Sequence, residues 1–288
     1  MYQVKEFDQQ GLHFFRLTDG ISYVDICPER GGMVTAFHTD DEDILFMNEA
    51  TLFDTSKNVR GGIPVLFPIT GQLTNKSYEW NGVPYFMDNH GLARTRAWKV
   101  AGQSAGHDCS ALKITFHSSE DTRKSYPFDF EAVLRYTLSD GELTISQTIS
   151  NLSNEAMPVY PGYHPYFKMK DQQLRIKSRA ASYLDYNDHE TKPFSGEINM
   201  KGLKESVVLL NSGDPQLAFD FNDSKKIVIS QDPRYRYTVL WIEGNQPFVC
   251  VEPWTALTNT LNENNDDLLM VAPDEPLELN IAIRLDKC

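Results

Sequence analysis

The sequence predicts an all-β protein, a large antiparallel β-sandwich. Apolar residues recur with period two in run after run, turn dipeptides separate the runs, and no long window carries the apolar stripe of an amphipathic helix. A chain of 288 residues exceeds the usual single-domain size of roughly 100–200, yet sandwiches reach this length as one unit. The polar stretches 102–110 and 263–267 are too short for linkers, so one domain over residues 1–288 is expected.

The elements follow in order. Runs at 14–17, 21–26 and 33–37, separated by Asp19-Gly20 and Glu29-Arg30-Gly31-Gly32, predict an N-terminal meander. Tyr78-Glu79-Trp80 and Val83-Pro84-Tyr85-Phe86 flank Asn81-Gly82, a pair suited to the positive φ angles of a type I′ turn. Pro84 lacks an N–H and places that hairpin at an edge. Ala132, Leu134, Tyr136 and Leu138 alternate up to Asp140-Gly141, and Leu143, Ile145 and Ile149 continue beyond it, a second hairpin. Strand runs recur at Leu217/Phe219/Phe221, 227–229, 238–242 and 248–251. Leu277, Leu279, Ile281, Ile283 and Leu285 close the chain as a half-buried strand. So many strands must stack or close to protect their edges. Arg-Gly-Gly occurs at Arg30 and Arg60, but the flanks diverge and the pair is not a repeat.

Composition narrows the function. A hydrophobic share of 41% and a charged share of 23% suit a soluble protein with a full core. A net charge of −13 and a pI of about 5.0 repel a phosphate backbone, which excludes nucleic acid as a partner. No run approaches the ~20 apolar residues that span a bilayer, and the first residues lack a signal-peptide core, so no membrane association and a cytoplasmic location are expected. Cys27, Cys109, Cys250 and Cys288 form no C-x-x-C pair, and the histidines show no zinc spacing, so neither a disulfide scaffold nor a metal site is expected. Cys27 and Cys250 lie in apolar runs and read as small buried hydrophobes.

Four stretches stand out chemically. In Pro161-Gly162-Tyr163-His164-Pro165-Tyr166-Phe167, two prolines stiffen the backbone around an ionisable ring, and aromatic faces suit a ligand with one apolar face, such as a sugar. A core histidine satisfied by a carbonyl is the plainer alternative. Arg60-Gly61-Gly62-Ile63-Pro64 puts a guanidinium at the mouth of a rigid segment, for hydroxyls or an anion. Asn89-His90-Gly91-Leu92-Ala93-Arg94 joins a second histidine to a second arginine. In Phe248-Val249-Cys250-Val251-Glu252-Pro253-Trp254 an apolar strand ends in a carboxylate, which is costly to bury without a partner.

Taken together, Arg60-Gly-Gly-Ile-Pro with Phe67-Pro68, His90-Gly-Leu-Ala-Arg94, His164-Pro-Tyr-Phe167 and Cys250-Val-Glu-Pro-Trp254 resemble, in order and spacing, the galactose mutarotase-like aldose 1-epimerases. The chain sits nearer their hexose-6-phosphate mutarotase branch, although Leu92 and Ile69-Thr70-Gly71 depart from its pattern. The resemblance implies the family's many-stranded sandwich, no metal or organic cofactor, and exchange of the α and β anomers of a hexose or hexose 6-phosphate. It implies Glu252 as general base, His164 as the acid that protonates the ring oxygen, kept charged by a nearby carboxylate, and His90 as a hydrogen-bonding partner. Arg60 and Arg94 match positions that hold the sugar or its phosphate, and Asp185, more loosely, an acid that binds sugar hydroxyls. An arginine tied up by a carboxylate would favour a neutral aldose. A sugar-binding module without turnover, or another carbohydrate enzyme on the same sandwich, remain the alternatives.

Overall fold

Period-two alternation produces sheets that are apolar on one face only. The computed structural model describes residues 1–169, 172–210, 213–263 and 266–288. It is 53% strand and 7% helix, an antiparallel sandwich as the sequence predicts. Strands Phe130–Ser139 and Glu142–Asn151 pair along their whole length through a turn with positive φ at Asp140 and Gly141. Their inward residues, from Ala132 and Leu134 to Ile145 and Ile149, are at most 1% exposed.

This hairpin lies within a sheet of nine strands among the described residues. The order is Glu197–Asn199, Gln173–Lys177, Gln216–Asn222, Lys225–Gln231, Leu277–Lys287, Glu142–Asn151, Phe130–Ser139, Ser110–His117 and Lys99–Ala105. A second large sheet runs Glu190–Pro193, Ser182–Asp185, Val207–Leu210, Tyr237–Trp241, Phe248–Trp254, Gly162–Tyr163 and Val65–Leu66, with Tyr166–Lys168 also paired to Phe248–Trp254. Phe167 meets Phe219 edge-on at 5.1 Å and Phe67 meets Phe130 at 5.0 Å, which closes the core between the two sheets. The N-terminal meander forms as expected and is tied to the nine-stranded sheet by the buried Tyr136 hydroxyl, which donates to the Gly32 carbonyl.

The structure adds strands that alternation did not reveal. Gln3–Gln9 buries none of its residues and Lys99–Ala105 is exposed on both faces. Both are edge strands held by backbone hydrogen bonds, so neither needs an apolar face. The Lys99–Ala105 strand also occupies half of the polar stretch 102–110; residues 264 and 265 of the other polar stretch lie outside the described residues. The run at 21–26 begins as strand only at Tyr23, because Asp19 Oδ1 accepts from the N–H groups of Ile21 and Ser22 and holds them in a turn. Among the described residues no helix is long and apolar enough to cross a membrane.

Candidate active site

The Phe248–Trp254 strand has neighbours on both sides, and its alternation sorts Val249 and Val251 to the core and Cys250, Glu252 and Trp254 to the other face. Gly162 pairs with Trp254 and Tyr166 pairs with Cys250, two registers that bracket His164 and set it opposite Glu252. Regular pairing breaks between them. The His164 N–H continues the ladder on the side of the Val65–Leu66 strand, donating to the Pro64 carbonyl at 3.0 Å, and Pro165 has no N–H to offer the Phe248–Trp254 strand. The freed ring stacks on Tyr166 at 4.8 Å and brings Nε2 to 3.4 Å from Glu252 Oε1. The other carboxylate oxygen, Oε2, accepts from Trp254 Nε1 at 3.0 Å. Glu252 is 1% exposed and His164 8%, so the costly carboxylate at the strand end has found its partners.

His90 is fixed from its own backbone. Gly91 has φ near 73°, and a Cβ there would lie 2.5 Å from the Phe67 carbonyl oxygen, so only glycine lets the loop dock so closely. His90 takes a left-handed φ of 66° and donates its N–H to Gly71 O at 2.7 Å. Gly71 answers by donating its N–H to His90 Nδ1 at 3.0 Å. Nδ1 is therefore the acceptor, and Nε2 carries the proton as a donor. The ring stands edge-on to His164 at 5.4 Å and to Trp254 at 5.7 Å.

Arg60, His90, Arg94, His164 and Glu252 line one open cavity of about 1320 Å³, so five of the six sequence-derived site residues converge. Asp185 does not join them. Its carboxylate takes Lys192 Nζ at 2.6 Å and both Asn187 N and Nδ2 on the other oxygen, a structural anchor for the turn whose Tyr186 and His189 form part of the cavity wall. Arg94 has a buried Nε without a partner. Arg60 has its Nε 3.4 Å from Glu243 and lies over the Trp241 ring, but side chains 37% and 45% exposed make a pair worth only about 0–1 kcal/mol. Trp254 was visible in the sequence as an aromatic beside the carboxylate; its hydrogen bond to Glu252 was not.

Burial drives the central groups to their neutral forms. It pushes the Glu252 carboxyl well above the usual range, against the Trp254 hydrogen bond and Arg94. It pulls the His164 imidazole down to about 3, helped by Arg94 and Arg60, and holds His90 well below the ordinary imidazole value. The expectation that a nearby carboxylate keeps His164 charged is thus corrected. Its partner is itself driven neutral, and two guanidiniums add to the desolvation cost. A carboxylic acid beside a neutral imidazole nevertheless holds the same single proton as a carboxylate beside an imidazolium.

One ligand atom each from His164, Cys250 and Glu252 lies within 4.8 Å of the others. Burial keeps both the Cys250 thiol and the Glu252 carboxyl protonated, so a metal ion there would have to displace two protons.

Residues 13–284 match the family model described as aldose 1-epimerase. The chain belongs to the aldose 1-epimerase family. A protein of Cenchrus ciliaris whose provisional name is glucose-6-phosphate 1-epimerase is 26% identical over 273 residues, 86% of this chain and 75% of its own length. Slr1438 of Synechocystis sp. PCC 6803 superposes with a TM-score of 0.89 at 28% identity, over 99% of this chain and 96% of that one. A galactose mutarotase-like protein of Clostridium acetobutylicum gives 0.85 at 18% identity over 100% and 99%, a likeness of fold.

The electrostatics of this epimerase-family site are open to titration. An exposed imidazole gains its proton near 6.5, whereas His164 is lowered to about 3, so its ring should stay neutral as pH falls from 7 to 5. Nitrogen-15 NMR of histidine-labelled protein in dilute buffer should show two rings, those of His90 and His164, that do not titrate in this window. A full complement of rings titrating near 6.5 would contradict the assignment.

Proposed function

We propose that the protein interconverts the α and β anomers of a hexose 6-phosphate, and more slowly of the free hexose, by acid/base ring opening and reclosure. The observation that carries this reading is the 3.4 Å contact between Glu252 and His164 on the cavity wall. The two oxygens that must exchange protons, the C1 hydroxyl and the ring oxygen, are bonded to the same carbon. A base and an acid serving them must therefore be adjacent. The paired carboxylates of glycoside hydrolases stand about 5–9.5 Å apart. The other carboxylates lining this cavity, Asp88 and Glu205, are exposed at its rim.

One proton crossing from Glu252 to His164 creates the working form. Glu252 takes the proton of the C1 hydroxyl as His164 Nε2 gives one to the ring oxygen, and the bond between C1 and the ring oxygen breaks to leave the aldehyde. Rotation about C1–C2 presents the other face, the ring oxygen attacks C1 as it returns its proton to His164, and Glu252 protonates the new C1 oxygen. The pair ends with the proton it began with. His90 Nε2–H is placed to hold the developing charge, and Trp254 offers a flat face beside it.

Arg60 and Arg94 give the reading its substrate class. Their charges lower His164, so a phosphate seated between them cancels that field and favours the imidazolium that the acid step requires. Phosphate thus aids both binding and chemistry, while a neutral sugar aids neither.

Two measurements test this. Polarimetric turnover in Glu252→Gln should fall by roughly 10²–10⁴, the loss expected of a general base, with the fold intact by circular dichroism; turnover near wild type removes Glu252 from the role. The ratio of kcat/KM for glucose 6-phosphate over glucose should exceed about ten, since each 1.4 kcal/mol is tenfold, and should collapse towards one in Arg94→Ala. Equal values for both sugars, unchanged in the variant, would leave a neutral aldose as substrate.

A further inference from the structure

Behind His164, on the side away from Glu252, lies a second, smaller cavity of about 80 Å³. Arg30, Arg94 and His164 line it, and each has a buried nitrogen with no partner among the described residues: Arg30 Nε, Arg94 Nε and His164 Nδ1. All three are donors. A guanidinium nitrogen never accepts. His164 Nε2 stands 3.4 Å from the Glu252 carboxyl, so a proton held by Glu252 leaves Nδ1 as the ring's N–H, and an imidazolium carries a hydrogen on both nitrogens. Arg30 is 8% exposed and is held in place by its Nη2, which donates to the carbonyls of Thr51, Asp54 and Lys57 at 2.9–3.2 Å.

Charge decides what fills this space. Among the described residues no carboxylate lines the cavity. Asp54, which acts on Arg30 from outside the lining, is itself taken by Lys57 and Ser56. Water would satisfy the hydrogen bonds but leave two guanidinium charges without a counter-charge in the lining. At roughly 30 Å³ per water the space suits a halide with one or two waters. We infer that this cavity is a binding site for a small monovalent anion of the halide class, held by Arg30 Nε–H, Arg94 Nε–H and His164 Nδ1–H. The anion fixes the His164 ring from behind and supplies the negative charge opposite its catalytic nitrogen. Only that consequence for rate rests on the proposed epimerase reading; the site itself does not.

Bromide is the direct probe. Crystals grown without halide and soaked in bromide should show an anomalous peak in the cavity, within hydrogen-bond reach of the three nitrogens. In solution, replacing gluconate by chloride at equal ionic strength should raise Tm by roughly 2–4 °C at a few times the dissociation constant. That shift should vanish in Arg30→Lys, whose ammonium cannot both hold the carbonyls and present Nε–H, or in Arg94→Ala should the first variant not fold. Ordered water without an anomalous peak overturns the site. So does a peak seen only at molar bromide with no chloride-dependent Tm, or an equal chloride shift in wild type and variant. A shift caused by inorganic phosphate but not by chloride assigns Arg94 to the substrate cavity alone and also overturns it. None of these readouts uses turnover, so they stand or fall apart from the proposed activity.

Discussion

A carboxyl group on a buried strand between two apolar neighbours governs the arrangement around it. An ionised, unpaired Glu252 would cost several kcal/mol in desolvation, and the fold answers with a hydrogen bond from Trp254 on one oxygen and His164 on the other. Placing His164 there requires the chain opposite to leave the ladder after Gly162 and to resume at Tyr166, and Pro165, between them, has no N–H to offer that strand. The break in the sheet and the acid/base pair are therefore one feature. His90 closes the site from a third element, its tautomer set by Gly71 before any ligand arrives.

Around this neutral pair the fold places positive charge. A net charge of −13 repels anions at long range, but screening beyond about 8 Å leaves local groups in control. Arg60 is held loosely by Glu243 and the buried Arg94 Nε has no partner among the described residues, so the cavity presents cationic donors to whatever enters. The same guanidiniums disfavour a charged His164, which makes the proton position sensitive to a bound anion.

Much of this was legible in the sequence, for reasons that differ between elements. The 130–151 hairpin and the last strand bury one face each, so their alternation is strong. Gln3–Gln9 and Lys99–Ala105 are edge strands with no buried residue, and nothing in their composition separates them from loop. Glu252, His164, His90, Arg60 and Arg94 were found through motifs whose glycines and prolines shape the backbone at the site. Asp185 was carried over on a loose match to the family, which does not tell an acid facing a ligand from one facing a lysine; Lys192 decides it. The charge state of His164 and the role of Arg30 depend on groups far apart in the chain that meet only in three dimensions.

In the proposed reaction a single proton shared by Glu252 and His164 opens and recloses a sugar ring without touching its carbon-bound hydrogens. Exchange NMR on [1-¹³C]glucose 6-phosphate in D₂O reads this directly. The account predicts α-to-β cross-peaks that grow with catalytic amounts of protein while C1 and C2 keep their protium. Exchange at the uncatalysed rate, or deuterium appearing at C2, would contradict it.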